Sequence, residues 1–203
     1  MTDIADYLRQ QATRALLRSL TTHEVDQSLK YLKLLIKWQS SQRLVGSSDP
    51  GWIVDNVIAD SLLFARALPP GVSTLCDLGS GAGLPGVPLK IVMPDVDVTL
   101  LESRARRTSF LSAVVRELPL RGCHVVNRRL EDVARDLASR FDAVVMRCAG
   151  DPVALIDRIA PILAPRGIVV ASGPPRATAL TVGEWFEVDS PTGRRRFWLY
   201  RTS

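Results

Sequence analysis

The chain is poor in the residues that build redox and metal centres. Three cysteines, Cys76, Cys123 and Cys148, and two histidines stand among 203 residues. The cysteines have no metal-ligand spacing, and each falls in or beside a predicted strand. They read as reduced core residues of a cytoplasmic protein, so neither a disulfide framework nor a metal site is expected. No apolar run approaches a membrane span, and the opening Met-Thr-Asp-Ile-Ala-Asp lacks the charge pattern of a secretion signal. Internal repeats and low-complexity tracts are absent too, which excludes solenoid architectures. Acidic groups are the scarcer sign: 21 Asp and Glu face 26 Lys and Arg, for a net charge of +5. The bases cluster at Arg104, Arg106 and Arg107, at Arg128 and Arg129, and at Arg194, Arg195 and Arg196. Guanidinium forks suit phosphate, although a charge of this size is also common among ordinary soluble proteins.

What is present is concentrated in residues 75–86, Leu-Cys-Asp-Leu-Gly-Ser-Gly-Ala-Gly-Leu-Pro-Gly. Leu75 to Leu78 reads as a short buried strand, and a helix is predicted from Pro88. A glycine-rich turn between strand and helix lets backbone approach a ligand without a Cβ in the way, and it aims the free N–H groups of the helix at that ligand. Glu102 ends the next strand about 20 residues on, where a ribose-binding carboxylate belongs. The dinucleotide pattern G-x-G-x-x-G does match at Gly81, Gly83 and Gly86, but its register is off. Gly79 holds the strand-closing position, and counted from there the third glycine is Leu84. The pattern acidic-x-Gly-x-Gly-x-Gly fits without a gap as Asp77, Gly79, Gly81 and Gly83, the loop of class I methyltransferases that bind S-adenosyl-L-methionine. A carboxylate at Asp77 suits a cationic sulfonium and ammonium better than a pyrophosphate. A nicotinamide dinucleotide and a plain structural turn stay open as the other two readings of the loop.

The first 70 residues are helical in pattern. Thr21 and Glu24 have capping-box spacing ahead of an apolar stripe, Val25, Leu29, Leu32 and Ile36. Ile53, Val57, Ile58, Leu62 and Ala65 form a third helix that Pro69-Pro70-Gly71 ends. After the loop, strands are predicted at Val98–Glu102, Cys123–Asn127, Phe141–Arg147 and Ile168–Ser172. Helices are predicted at Arg104–Leu118, Glu131–Ala138 and Pro152–Leu163. Right-handed crossovers then give an α/β fold, a Rossmann-like doubly wound sheet with its ligands at the carboxyl ends of the strands. Glu184–Asp189 and Arg195–Arg201 flank Ser190-Pro-Thr-Gly193 as a terminal antiparallel hairpin, a feature of class I methyltransferases rather than of most dehydrogenases. Residues 1–70 read as a helical cap and 71–203 as the S-adenosylmethionine-binding domain, packed as one folding unit.

Asp77-Leu-Gly-Ser-Gly-Ala-Gly-Leu-Pro-Gly-Val-Pro-Leu resembles the small-subunit ribosomal RNA methyltransferase G family, also called glucose-inhibited division protein B. Leu100-Leu-Glu-Ser-Arg-Ala-Arg-Arg, Arg116-Glu-Leu-Pro-Leu, Arg129-Leu-Glu-Asp, Leu34-Leu-Ile-Lys-Trp and Asp60-Ser61-Leu62 extend the likeness over essentially the whole chain. The resemblance implies methyl transfer from S-adenosylmethionine to N7 of a guanine in the decoding-region loop of 16S rRNA, as free RNA or in the small ribosomal subunit, by a monomer. It also implies a cofactor site at Asp77, Gly79, Ser80, Gly81, Gly83, Leu84, Glu102, Ser103, Leu130 and Glu131. Within that site Glu102 would take the ribose hydroxyls, and Leu130 and Glu131 would flank the adenine. Arg147, at the end of the fourth strand, would face cofactor or target base and is the one candidate catalytic residue.

The chain departs from the family pattern on the RNA side. The family's Asn-Leu-Thr is Arg43-Leu-Val45, a His before the Asp-Ser pair is Val57, and Ser-Arg-Ala becomes Met146-Arg147-Cys148. A Lys-Gly pair after the fifth strand is replaced by Gly173-Pro174, and the helix that follows is expected only over Pro175–Val182. Two readings fit these losses. Arginines such as Arg43 and Arg176 have taken over the missing contacts, or the chain is a divergent paralogue. Such a paralogue would act on another RNA or a small molecule, or only bind cofactor or RNA.

Overall fold

The computed structural model describes residues 3–147, 153–174, 179–190 and 192–202. Helix Ile4–Leu16 starts on Asp3, whose carboxylate accepts from the Ala5 N–H, and stops where Leu17 turns left-handed. Helix Thr22–Gln42 opens with the expected capping box, Glu24 N–H donating to Thr21 Oγ1 at 3.2 Å and Thr21 N–H to Glu24 Oε2 at 2.7 Å. Arg18 pairs with Glu24 at 2.6 Å and also donates to the Val92 carbonyl, tying this turn to the sheet domain. Of the expected stripe, Val25 and Leu32 are buried while Leu29 and Ile36 are half-buried.

The expected third helix exists but is not uniform. It runs as α-helix over Pro50–Ile53, as π-helix over Val54–Ala59, as α-helix over Asp60–Leu62 and as a 3-10 turn over Leu63–Arg66. Its buried face is as predicted, with Ile53, Val57, Ile58 and Leu62 in the core.

Seven strands form one sheet: β1 (Thr74–Leu78), β2 (Asp97–Leu101), β3 (Cys123–Val126), β4 (Phe141–Met146), β5 (Leu163–Ser172), β6 (Glu184–Ser190) and β7 (Gly193–Arg201). Their order is β3-β2-β1-β4-β5-β7-β6. The first five strands are parallel, and β7 runs antiparallel between β5 and β6, so the predicted hairpin closes the sheet. The order reverses between β1 and β4, and the crevice outside their carboxyl ends is where this topology leaves room for a ligand.

Both faces are covered, so the central strands bury alternate residues in two cores. Leu75, Leu100, Val145 and Val170 join the cap helices and helices Gly86–Val92 and Ala105–Glu117. Cys76, Val144, Met146 and Trp198 face Leu130, Val133, Ile159 and Ile162. Cys76 and Cys123 are free and buried, and burial pushes both thiols up, that of Cys123 to about 12. Cys148 lies outside the described residues. Both histidines, His23 and His124, are exposed. No helix among the described residues is long and apolar enough to cross a membrane.

Four sequence expectations need correction. The helix expected over Glu131–Ala138 is a single turn, Leu130–Val133, continued by turns. The helix expected over Pro152–Leu163, whose first residue lies outside the described residues, is broken into Val153–Leu155, Ile156–Ile159 and Ala160–Ile162, and in the last of these Pro161 lacks the N–H that a continuing α-helix requires. Strand β5 starts at Leu163 rather than Ile168. Between the Phe141–Leu163 and Ala143–Ile168 pairs the register shifts, and Arg166 in the shifted stretch has φ 63°. The proline and glycine of Pro165-Arg166-Gly167 mark a bulge inside a strand, not a loop before it. The helix after the glycine loop also begins two residues early, at Gly86.

The cap packs on the sheet through aromatic contacts, the tightest an edge-to-face pair of Phe64 and Phe197 with centroids 4.6 Å apart, both buried. Phe64→Ala is expected to cost about 3–5 kcal/mol of unfolding free energy, measured by urea titration. A loss under about 1 kcal/mol would show that the cap does not depend on the hairpin.

Candidate functional site

The loop 79–86 is built by hydrogen bonds from both neighbouring strand ends. Gly79 and Ser80 N–H groups donate to the Leu101 carbonyl at 2.8 and 3.2 Å, continuing the β1–β2 ladder past the strand. Gly81 N–H donates to Glu102 Oε2 at 2.9 Å, and Gly86 N–H to Asp77 Oδ2 at 2.9 Å. Tyr31, fully buried in the cap, donates its hydroxyl to the Ala82 carbonyl at 2.6 Å. Gly79 has φ 73°, and nothing lies within 4 Å of the place a Cβ would take. It opens onto free space, and a side chain there would be both strained and intrusive. Gly86 is small for a different reason, since a Cβ would meet Leu100 at 2.5 Å and the Asp77 carboxylate at 2.7 Å.

Two clefts meet at Gly79. One, of about 300 Å³, is lined on one side by Gly79, Glu102 and Ser103 and on the other by Leu130 and Glu131, with Leu101 and Met146 as apolar floor. The second, of about 360 Å³, lies between residues 79–84 of the loop and the cap, and Trp52, Asn56, Arg107 and Arg147 line it.

The residues singled out from the sequence therefore divide. Gly79, Glu102, Ser103, Leu130 and Glu131 share the first cleft, and Gly79, Ser80, Gly81, Leu84 and Arg147 share the second. Gly83 lines neither, because it packs behind the loop where a Cβ would meet Val87 at 2.6 Å. Asp77 also lines neither. It is fully buried beneath the loop, its Oδ1 has no partner, and burial pushes its carboxyl up to about 7 against the opposing pull of the Gly86 N–H and Ser80. Glu102 is buried and already accepts from two main-chain amides, Gly81 and Arg104, with Arg107 3.6 Å away.

Arg147 is held by the cap. Its Nη2 donates to the Asn56 carbonyl at 2.5 Å and pairs with Asp60 Oδ2 at 3.0 Å, while Nη1 reaches Ser61 Oγ at 3.3 Å and the Val57 carbonyl at 3.4 Å. The π-helical turn makes this possible, since widening the helix there turns carbonyls away from the usual i→i−4 ladder. Asp60 is shared, because Arg195 from the hairpin donates to its other oxygen at 2.5 Å. Sequence reasoning missed Trp52 and Asn56, and gave Arg107 only as one of a basic cluster. The Asp60-Ser61 pair was a usable signal, but no periodicity announces a π-turn. Gly173 is explained by packing, as a Cβ there would meet Trp185 at 2.5 Å. Arg176, and the part of the helix expected after β5 that covers residues 175–178, lie outside the described residues. Residues 179–182 are not helical.

Against known proteins, the family model for rRNA small subunit methyltransferase G matches residues 24–174. The ribosomal RNA small subunit methyltransferase G of Lachnoclostridium phytofermentans is 32% identical over 163 residues, covering 79% of this chain and 67% of that protein. Its counterpart from Desulfitobacterium hafniense is 35% identical over 155 residues, 75% of this chain and 64% of that one. The chain thus spans about two thirds of the length of these relatives. Among solved structures, the C-terminal domain of precorrin-6Y C5,15-methyltransferase from Rhodobacter capsulatus is similar with a TM-score of 0.53 at 21% identity, over 70% of this chain and 88% of that one. That likeness is one of fold.

The buried Asp77 gives the folded chain a proton that the unfolded chain does not hold. Between its ordinary value of 3.8 and about 7, unfolding releases that proton, so this group's contribution to stability falls as pH rises through the window. Asp77→Asn keeps an acceptor for Gly86 and removes the titration. The wild-type stability minus that of Asp77→Asn is expected to fall by about 4 kcal/mol from pH 4 to pH 7 and then level off. Parallel urea-derived stability profiles for the two proteins would show that Asp77 titrates as an ordinary carboxyl.

Proposed function

The chain belongs to the rRNA small subunit methyltransferase G family, and from that premise we propose that it transfers a methyl group from S-adenosylmethionine to N7 of a guanine in 16S rRNA. The observation that carries this reading is the second cleft. Among the described residues its lining includes arginine, asparagine and apolar groups but no carboxylate and no histidine. Guanine N7 offers a lone pair and no proton, so attack needs no general base, and alignment with exclusion of water supplies the catalysis.

The first cleft fits the cofactor. Gly79 leaves open the space a Cβ would fill, Leu101, Leu130 and Met146 offer an apolar bed, and Glu102 keeps free lone pairs beyond its amide contacts for ribose hydroxyls. When bound, S-adenosylmethionine supplies a methyl group activated by a positive sulfonium. Asp77 acts from beneath as the anchor of the loop rather than as a contact. Arg147 is the residue we assign to the join between cofactor and base, where Asp60 neutralises its charge and the Asn56 and Val57 carbonyls fix its plane. It positions the base and takes no proton. Residues 1–70 and 71–203 act together, because the cap supplies one wall of the second cleft.

The partner in this reading is 16S rRNA or the small ribosomal subunit, met by a monomer in the cytoplasm. A third cleft, of about 640 Å³, supports an RNA partner. It lies between residues 40–43 of the cap and residues 104–107 and shares Arg107 with the second cleft. Arg43, Arg104 and Arg106 line it, and none of them has an ion-pair partner among the described residues. Like charges gathered without counter-charge suit the phosphates flanking a target base.

Labelled methyl is expected to enter undermodified small subunits, or the free RNA, at a single guanine N7. Gly79→Val should abolish that transfer and the calorimetric binding of S-adenosylhomocysteine while leaving circular dichroism unchanged. Cofactor binding without any label in rRNA would overturn the substrate assignment. For the RNA contact, Arg43→Asn with Arg106→Gln should lower the slope of log binding constant against log salt by about 1 to 2. An unchanged slope would move the phosphates elsewhere.

A further inference from the structure

Among the described residues, only two large apolar side chains are well exposed, Leu17 at 71% and Trp52 at 39%. Leu17 lies at the left-handed end of the first helix and away from either cleft, as a single surface apolar residue commonly does. Trp52 is different in three respects. It lines the second cleft together with Ser80, Gly81, Ala82, Leu84 and Arg147. Its backbone is pinned at a helix start, with the Trp52 N–H donating to Asp49 Oδ1 at 2.7 Å and the Trp52 carbonyl accepting from Asn56 Nδ2 at 3.0 Å. The ring edge rests over Gly46, where a Cβ would stand 3.0 Å from Cη2. The indole is thus held at backbone, ring edge and cleft wall, yet keeps more than a third of its surface in water. An aromatic of this size is normally driven further into the core.

Resting on the methyl-transfer reading above, we infer that the indole of Trp52 is the platform on which the target base stacks. A guanine that enters the cleft must leave its stack in the RNA, and it regains that interaction on an aromatic face placed where it lands. The second cleft meets the cofactor cleft at Gly79, and Arg147 lines the second cleft beside that junction, so a base stacked on Trp52 would lie next to the cofactor. Stacking of this kind tolerates any base, so Trp52 supplies affinity and orientation, not the choice of guanine. It is a substrate-contacting residue for which the glycine motif gives no hint.

The test uses the full chain with S-adenosylhomocysteine present and undermodified 16S rRNA as the probe. Trp52→Ala is expected to weaken RNA binding about 5- to 100-fold, while Trp52→Phe retains most of the affinity. The binding constant of S-adenosylhomocysteine should be unchanged in both variants. RNA should quench the tryptophan emission of the wild type, and that quench should be lost in Trp52→Phe. In turnover, Trp52→Ala should raise KM for RNA and lower kcat as the base sits less squarely. Wild-type affinity and KM in Trp52→Ala, or an RNA-induced quench that persists in Trp52→Phe, would overturn the stacking role alone. A wild type that binds cofactor but neither binds nor methylates rRNA would instead overturn the reading on which it rests.

Discussion

The contact on which the site depends is made in the dry interior, between the carboxylate of Asp77 and the Gly86 N–H. Asp77 is the penultimate residue of β1, paired on one side with Leu100 and on the other with Val145, so its position is set by the sheet. Gly86 begins the helix after the loop. One hydrogen bond therefore fixes both ends of an excursion whose glycines at 79, 81 and 83 all have positive φ and could not hold a shape by themselves. A buried, half-satisfied carboxyl is costly, and its unpartnered Oδ1 is the visible form of that cost. Glu102 repeats the device from the neighbouring strand end by holding Gly81 and Arg104.

The cap is not an ornament on this frame. Tyr31 reaches through the core to the Ala82 carbonyl, so the longest cap helix touches the loop directly. The π-turn at Val54–Ala59 offers its carbonyls to Arg147, and Asp60 draws in Arg195 from the far hairpin. The carboxyl end of β4, the cap and the hairpin are thus joined through one carboxylate. The second cleft is lined from the cap and the carboxyl end of β4, and Asp60 ties both to the hairpin behind it.

Much of this was legible in the residues. The register of Asp77, Gly79, Gly81 and Gly83 placed the loop, and Thr21 with Glu24 placed a helix start, because both signals are local and set by backbone sterics. Where the reading failed, distant groups decided. Pro165 and Gly167 punctuate a bulge because β4 extends the pairing past them, and Pro161 splits a helix whose apolar period continues through it. Glu102 sits where a ribose-binding carboxylate should, but only the folded loop reveals that it also holds two amides. Trp52 gave no signal, since one tryptophan after Pro-Gly reads the same whether it is core, surface or cleft wall.

Arg43 shows how the departures from the family pattern are to be weighed. It caps the helix Thr22–Gln42 in a left-handed conformation, φ 48° and ψ 58°, with its N–H donating to the Gln39 carbonyl. Asparagine, which the resemblance expects at this position, adopts that conformation more readily than arginine, whose Cβ there costs about 1 kcal/mol or more. The substitution also brings a cation toward Arg104 and Arg106 in a shared cleft. Both effects are unfavourable in the chain alone, and under the proposed function phosphates in that cleft would offset the charge repulsion. The polar groups missing at Val45 and Val57 lie along the second cleft, while the added arginine lies beside it, on the side of Arg107. In the proposed reading Arg43, Arg104 and Arg106 would meet the phosphates around the target base, beside a cleft whose wall is apolar at Val45 and Val57.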